Sequence, residues 1–581
     1  MLKRLRPLFP YLTRYKKRYV VGLAALVITQ LVGVTIPLIV KDAIDILSEN
    51  GTRERLLFYA GLLLAVALTK GIFQYAMRWI LIGISRDVEY DLRNDLVRHL
   101  MRLEPRYYTE NRTGDLMSKM TNDLSAVRNM VGPGIMYSAN TLVMGVATVA
   151  LMVHIDPRLT LLCLLPLPIA SLAVKFFGQK IHAQFEKVQA LHSELVERAR
   201  ESLAGVRVVR AFCQEDAEIA SFDRMNQSYV DSNRQLIWIQ SFLWPALALL
   251  FAISFLLIMV AGGRDVLRGE ISVGSFTAFN IYLMYLIWPI IALGWVTNIV
   301  QRGLASLGRL WTIFRAEPQI DDHAARPEIL PTLRGEIEFR HLNFSYNGKL
   351  ILKDINLHIP AGRTVAIVGA TGSGKSTFVS LIPRLYDAPP GAILIDGVSI
   401  RQIPLATLRR HIGFVSQEPF LFSETVKNNI RFGAPEAGEA EVVRAAEISN
   451  IVAEIQSFPK GFDTMVGERG LTLSGGQKQR VTISRAVLRD PRILILDDAL
   501  SSVDTDTEER ILNQLTGILA GRTAILISHR ISTIRNADEI VVLDQGTIVE
   551  QGSHEELLAL GGYYAELYNK QLIEEALEKE A

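Results

Sequence analysis

Cysteine is close to absent: the 581 residues hold two. Cys163 sits in an apolar run and Cys213 in a charged stretch, which argues against a disulfide framework and fits a reducing compartment. A surplus of charge is missing too. Lys and Arg number 62 against 60 Asp and Glu, a formal net charge of +2, so the chain as a whole does not read as a nucleic-acid binder. The N-terminus lacks a cleavage site. Its basic stretch "MLKRLRPLFPYLTRYKKRY" runs into an apolar segment too long for a signal peptide, with no small-residue site behind it. An interfacial helix leading into a retained membrane anchor is the reading adopted.

What is abundant is apolar sequence. Hydrophobic residues make up 49% of the chain, and the mean hydropathy of +0.22 is high for a soluble protein. Six apolar segments fall in the first half: 20–40, 56–85, 131–153, 159–177, 236–263 and 271–300. The first has no charge and, at about 21 residues, is long enough to cross a bilayer. The last two are longer, so they tilt or project. The connections 86–128 and 175–234 are rich in Lys and Arg and poor in Gly and Pro. They read as helices extended past the membrane, and the positive-inside bias places them and both termini in the cytoplasm. Asp42, Asp45, Lys70, Arg78 and Lys175 are read as lying near segment ends, where they snorkel.

The texture changes at 315–335, "RAEPQIDDHAARPEILPTLRG", a proline-bearing charged linker. Short Val- and Ile-rich runs come next at 337–339, 364–368, 393–395, 412–415, 493–496, 524–527 and 540–543, separated by helical stretches. That alternation predicts an α/β domain with a largely parallel sheet. The expected layout is a membrane domain over 1–315, a linker over 316–335, a nucleotide-binding domain over 336–565 and a charged helical tail over 566–581.

The strongest local signal is "TVAIVGATGSGKST". Gly369, Gly374, Lys375 and Ser376 fit G-x-x-x-x-G-K-[ST] between an apolar strand and a helical stretch. Glycines let backbone N–H groups close around phosphate oxygens at the positive end of the new helix. Lys375 can reach the outer phosphates, and the Ser376 hydroxyl can ligate Mg²⁺. Some 120 residues on, "ILILDDALSSVD" ends a buried strand in Asp497, the acid expected to hold the Mg²⁺ shell.

"LTLSGGQKQR", 471–480, resembles the signature of ATP-binding-cassette (ABC) proteins, and its Ser474, Gly475 and Gly476 make a second N–H-rich loop suited to a γ-phosphate. The resemblance covers the whole chain. Tyr346 in "FSY" is similar to the aromatic that stacks on adenine, Gln417 in "VSQEPFLF" to the glutamine that touches Mg²⁺, and His529 in "ISHR" to the switch histidine. "VGERG" (466–470) resembles a loop contacting the membrane domain, and 501–504 the dimer-crossing loop. "TGDLMSKMTNDL" (113–124) and "GVRVVRAFCQED" (205–216) resemble the two intracellular coupling regions. The resemblance implies a half-size exporter of type IV fold: an all-α six-helix transmembrane domain followed by an α/β P-loop nucleotide-binding domain. It implies ATP held by Tyr346, Gly369, Thr371, Gly372, Ser373, Gly374, Lys375, Ser376, Thr377 and Gln417, with Ser474, Gly475, Gly476 and Gln477 completing a site across a dimer. Ser376, Gln417 and Asp497 would hold Mg²⁺, and Asp498 and His529 would be catalytic. The partners would be a second homologous half-transporter, the lipid bilayer of the inner (cytoplasmic) membrane, and a hydrophobic or amphipathic small molecule as cargo.

One position departs from the family pattern. The residue after the metal-holding Asp is Glu in fully active cassettes; here it is Asp498. Its carboxylate is set back by one bond, roughly 1.5 Å, and a misplacement of about 1 Å can cost ~10²-fold in rate. "DDALSSVD" beside an intact "LSGGQ" resembles the weaker subunit of heterodimeric multidrug exporters. A homodimer with two equivalent sites, acting as a lipid or drug flippase, and an ATP-gated channel or regulator on the same scaffold are the alternatives. A soluble DNA-maintenance ATPase is disfavoured, since six apolar segments have no place in one. Trp244, Trp288, Trp295, Gln240, Asn280, Asn298 and Gln301 in the last two segments suit either cargo or helix packing.

Overall fold

A computed structural model describes residues 5–48, 52–326, 333–346, 348–467, 470, 472–519 and 521–580. The chain divides into two compact units, Met1–Met101 with Arg112–Ala316, and Arg102–Asn111 with Glu317–Ala581.

Among the described residues the first unit is helical, with no strand, and six helices are long and apolar enough to cross a membrane: α1 (Lys16–Ser48), α2 (Arg53–Leu100), α3 (Thr113–Ile155), α4 (Pro157–Ala204), α5 (Glu215–Leu267) and α6 (Val273–Phe314). Each contains one of the six apolar segments, α6 all but the first two residues of 271–300. The 48 residues of α2 extend about 72 Å at 1.5 Å per residue, more than twice a hydrocarbon core of about 30 Å. The Lys- and Arg-rich connections are therefore mostly continuations of the spanning helices. In α3, two wider-wound stretches, Lys119–Asp123 and Met130–Gly134, interrupt the regular helix. The second absorbs Pro133, which has no N–H to give the preceding turn.

Small residues set the helix contacts. A Cβ at Gly22 would stand 2.6 Å from Leu81, and one at Gly132 would stand 2.5 Å from Ser85. An apolar cluster around Val34, Met152, Cys163, Phe279 and Tyr282 fills the bundle, and the Tyr282 hydroxyl donates to the Val34 carbonyl at 2.8 Å. Asp123 accepts from Ser306 Oγ at 2.9 Å and from Arg309 Nε at 2.9 Å, which ties α3 to α6.

Two of the charges read as snorkelling are placed otherwise. Asp45 accepts the Gly274 N–H and the Ser272 hydroxyl, both at 2.7 Å, and so caps the start of α6. Lys70 is not near a helix end. It lies deep in α2 with its ammonium against Gly33, where a Cβ would be 3.2 Å from Nζ. A charge inside an apolar run does not mark the edge of that run: the helix continues unbroken from Arg53 to Leu100 through Lys70.

The second unit pairs the short helix Pro105–Glu110 with the cassette. The Gln319 N–H donates to Glu104 Oε2 at 3.3 Å. The segment grouped with the cassette thus ends before Thr113, where the first coupling region was expected to begin. Among its described residues the cassette has ten strands: β1 (Ile337–Tyr346), β2 (Lys349–Ile359), β3 (Thr364–Val368), β4 (Ile393–Ile395), β5 (Val398–Ser399), β6 (Ile412–Val415), β7 (Ile493–Asp497), β8 (Thr523–Ile527), β9 (Glu539–Asp544) and β10 (Thr547–Gly552). They form two sheets, not one. An antiparallel sheet runs β2-β1-β4-β5, and a six-stranded sheet runs β10-β9-β3-β8-β7-β6. Only β10 is antiparallel in the second. Its inner strands are buried along their length, β7 and β8 at all five positions, as a parallel sheet covered on both faces requires.

Candidate nucleotide site

Parallel pairing decides which loops meet. Ile367 of β3 lies level with Ile527 of β8, Ile527 with Asp497 of β7, and Leu496 with Val415 of β6. All four strands point the same way, so their outgoing loops emerge along the same sheet edge. The phosphate loop leaves β3, the His529 segment leaves β8, Asp498 comes directly after β7, and Gln417 lies just past β6. Ligands of open α/β sheets bind outside this carboxyl edge.

The phosphate loop needs its glycines for different reasons. Gly369, Gly372 and Gly374 have φ of +150°, +85° and +105°, a region that favours glycine. A Cβ on Gly374 would also stand 2.9 Å from Leu352. Lys375 opens the helix Lys375–Leu381, and no side chain caps that helix start. Its ammonium donates to the carbonyls of Gly369 at 2.8 Å and Ala370 at 2.9 Å, bridging the loop from within. Burial pulls its pKa below the usual lysine range, against the opposing fields of Asp497 and Asp498.

Asp497 is buried at the end of β7 and accepts from Ser376 Oγ at 3.1 Å. Burial raises its pKa; the Ser376 hydrogen bond pulls the other way, and Asp498 adds to the rise. Asp498 has a left-handed backbone, φ +49°, a region that Asp tolerates better than most side chains. Its N–H donates to the Ile527 carbonyl at 2.9 Å. Tyr346 is half-buried at the end of β1, edge-on to Tyr386 at 5.1 Å between ring centroids, with its hydroxyl hydrogen-bonded to Thr377. Burial pushes its pKa up to about 12. Gln417 and His529 are exposed at the edge, and His529 is near enough for its charge to favour the Asp497 carboxylate.

The signature residues stand apart from this group. Ser474 caps the helix Gly475–Leu488: its hydroxyl accepts the Gln477 N–H, and Gln477 Oε1 accepts the Ser474 N–H in return. A Cβ on Gly476 would stand 2.8 Å from the Ser502 carbonyl, so only glycine fits. Among the described residues, no hydrogen bond or ion pair joins 474–477 to 369–377. Within "VGERG", residues 468 and 469 lie outside the described residues.

Several supporting residues went unread in the sequence. Buried Gln479 donates to Ser501 Oγ at 2.9 Å and accepts the Ser502 N–H at 2.9 Å, clamping the loop after Asp498. Buried Glu508 accepts from Arg530 and Thr533, which flank the segment after His529. Tyr386 backs Tyr346. Gln479 is embedded in the signature, but its contact lies 22 positions away, and no local pattern announces it.

The residues fit ATP and Mg²⁺. Ser373 Oγ is buried with no hydrogen-bond partner, the helix start offers uncapped N–H groups, and the glycine loop leaves room where side chains would intrude. Ser376 and Asp497 present two hard oxygens. Such oxygens suit Mg²⁺, which is bound by one or two protein ligands together with substrate phosphates. When bound, Mg²⁺ would neutralise charge on the phosphate oxygens. The chain's own part would be to cradle phosphates by backbone N–H groups and hold Lys375 among them, with Asp498 and His529 following strands that end at the same edge.

Residues 19–290 match the ABC transporter transmembrane region, and residues 352–501 match the ABC transporter cassette family. The chain belongs to the ABC transporters. With one membrane region and one cassette it is a half-size exporter, related to bacterial multidrug-resistance-like transporters. It is 37% identical over 575 residues to "Probable multidrug resistance ABC transporter ATP-binding/permease protein YheI" of Bacillus subtilis (strain 168), covering 98% of each chain. It is 35% identical over 580 residues to the "ATP-dependent lipid A-core flippase" of Syntrophus aciditrophicus (strain SB), covering 100% of this chain and 95% of that one. A solved structure of a bacterial Atm1-family ABC exporter with ATP bound superposes with a TM-score of 0.78 at 30% identity, over 96% of this chain and 98% of that one.

Proposed function

We propose that this chain is one subunit of an ATP-driven exporter that moves hydrophobic or amphipathic small molecules across the cytoplasmic membrane, or between its leaflets, by alternating access. The relatives support the direction and the broad cargo: one carries a multidrug-resistance name and another a lipid-flippase name. ATP binding drives the cycle only if it favours one conformation over the other. Both termini and the cassette face the cytoplasm, as the basic connections favour.

The partner is a second, homologous half-transporter. The observation that carries this is the separation of the two phosphate-binding loops. The phosphate loop shares an edge with Asp497, while among the described residues Ser474–Gln477 engage their own helix, Glu454 and the loop at Ser502. Each loop suits half of a nucleotide site, and a second chain supplies the other half. Asp498 favours a heterodimer in which this chain's own phosphate loop serves the slower site, while its intact signature completes the faster one. His529 is the second catalytic side chain.

The test is to reconstitute the chain alone in lipid vesicles and measure ATPase and ATP-dependent drug uptake. Little turnover alone and restored turnover with a Glu-bearing partner is the expected result. Robust turnover by the single chain sinks the heterodimer and leaves a homodimer.

A further inference from the structure

Charge in the six apolar segments is one-sided. Segments 20–40, 56–85, 131–153, 159–177, 236–263 and 271–300 contain no Asp or Glu, and their cations are Lys70, Arg78 and Lys175. Lys70 stands midway along 56–85, about 20 Å of helix from either end. The segment, about 45 Å long, exceeds a hydrocarbon core of about 30 Å, so a centred segment puts Lys70 about 15 Å from either face, still more than a four-carbon stem spans.

Its surroundings point the same way. Lys70 packs against Gly33, inside the chargeless segment of α1, where a Cβ would crowd Cε and Nζ at 3.2 Å. Glycine there leaves room for the ammonium between the two helices. Among the described residues no salt bridge includes Lys70, and no acid within the six segments could supply one. A cation at that depth is costly without an anion, and such residues mark substrate paths. Beside it lies an apolar groove of about 380 Å³ between α1 and α2, lined by Leu31, Val32, Thr35, Ala65, Val66 and Thr69. Val32 and Thr69 are the chain neighbours of Gly33 and Lys70. The volume is that of a small-molecule pocket, not of a two-chain lipid.

We propose that the cargo of this exporter is an amphiphile with a single acidic head, a carboxylate, sulfonate or phosphate. The head pairs with Lys70 and the apolar body lies in the groove between α1 and α2. The proposal rests on the exporter reading and names the substrate class of that pathway.

The test uses the full chain in nanodiscs of zwitterionic phosphatidylcholine, without ATP. The probes are a fluorescent dodecanoic acid and its neutral methyl ester, titrated against the natural chain, Lys70→Gln and Lys70→Arg, each checked for an unchanged melt. The natural chain should bind the acid about tenfold more tightly than the ester, the scale of one charged hydrogen bond. Lys70→Gln should abolish the preference, and Lys70→Arg should keep it. Equal binding of acid and ester, or a preference that survives Lys70→Gln, overturns the proposal. Displacement of the acid by phosphatidylglycerol in the disc would also overturn it, since the site would then hold a bilayer lipid. Binding without ATP is independent of export. Intact selectivity with no ATP-driven movement would fault the exporter reading and leave the site standing.

Discussion

Ser376 Oγ lies 3.1 Å from Oδ1 of Asp497, although 121 positions separate them. One opens the helix after the phosphate loop and the other closes a strand two places across the sheet. Together they form the oxygen pair that would hold Mg²⁺. Asp497→Asn should weaken Mg²⁺ affinity by about 10–100-fold, the usual cost of disturbing a metal's protein shell. Titrating Mg²⁺ against bound fluorescent ATP in the full chain checks this. Affinity for ATP without metal should change little.

Lys375 sets stability against function. Burial holds its pKa below the ordinary lysine value. Between that lowered value and about 10.4, the folded chain binds fewer protons than the unfolded chain, so stability rises with pH across the window. Lys375→Met should remove this rise, raise the nucleotide-free melting temperature at pH 7 relative to the natural chain, and abolish the upward shift that ATP produces. Melting curves at pH 7 and pH 9.5, with and without ATP, measure all three effects.

Asp498→Glu restores the missing methylene. Hydrolysis at this chain's own site should rise by about tenfold or more, within the ~10²-fold sensitivity to a 1 Å displacement. The left-handed backbone at φ +49° suits Asp better than Glu, so the variant should also melt lower, by about 1 kcal/mol. Single-turnover ATPase with a partner whose own site is disabled, together with a melting curve, separates the two effects.

Gln479→Ala removes the clamp on Ser501 and Ser502. Leaving a buried polar group without its partner costs about 1–3 kcal/mol, and the loop after Asp498 should loosen. Turnover should fall several-fold, with ATP affinity nearly unchanged. A matched fall in ATP affinity would mean that the clamp acts on the phosphate loop instead.

The parts of this site that were legible in the sequence are contiguous ones. Gly369 to Ser376 carry their own geometry in one loop, and Asp497 announces itself by ending an aliphatic strand. The supporting side chains were not legible. Gln479, Glu508 and Tyr386 acquire their roles only when distant strands align, and nothing in their own stretches marks them. The fold shows the same division. Strands rich in Val and Ile were readable, but β2, with Lys353, Asp354 and Asn356 along its exposed positions, the two-residue β5 and the polar β10 were not. Lys70 divides the same way. Its place midway along 56–85 is plain in the sequence, but its packing against Gly33 of α1 is not.

The grouping of Arg102–Asn111 with the cassette bears on how this protein can be recombined. Exchanging cassettes with a relative by cutting once, near residue 316, would leave ten residues of the old partner's contact surface behind. A graft that keeps its packing needs three junctions: one on either side of 102–111 and one at the linker. A hybrid made with the single cut is expected to fold both halves and still lose the coupling between ATP turnover and transport.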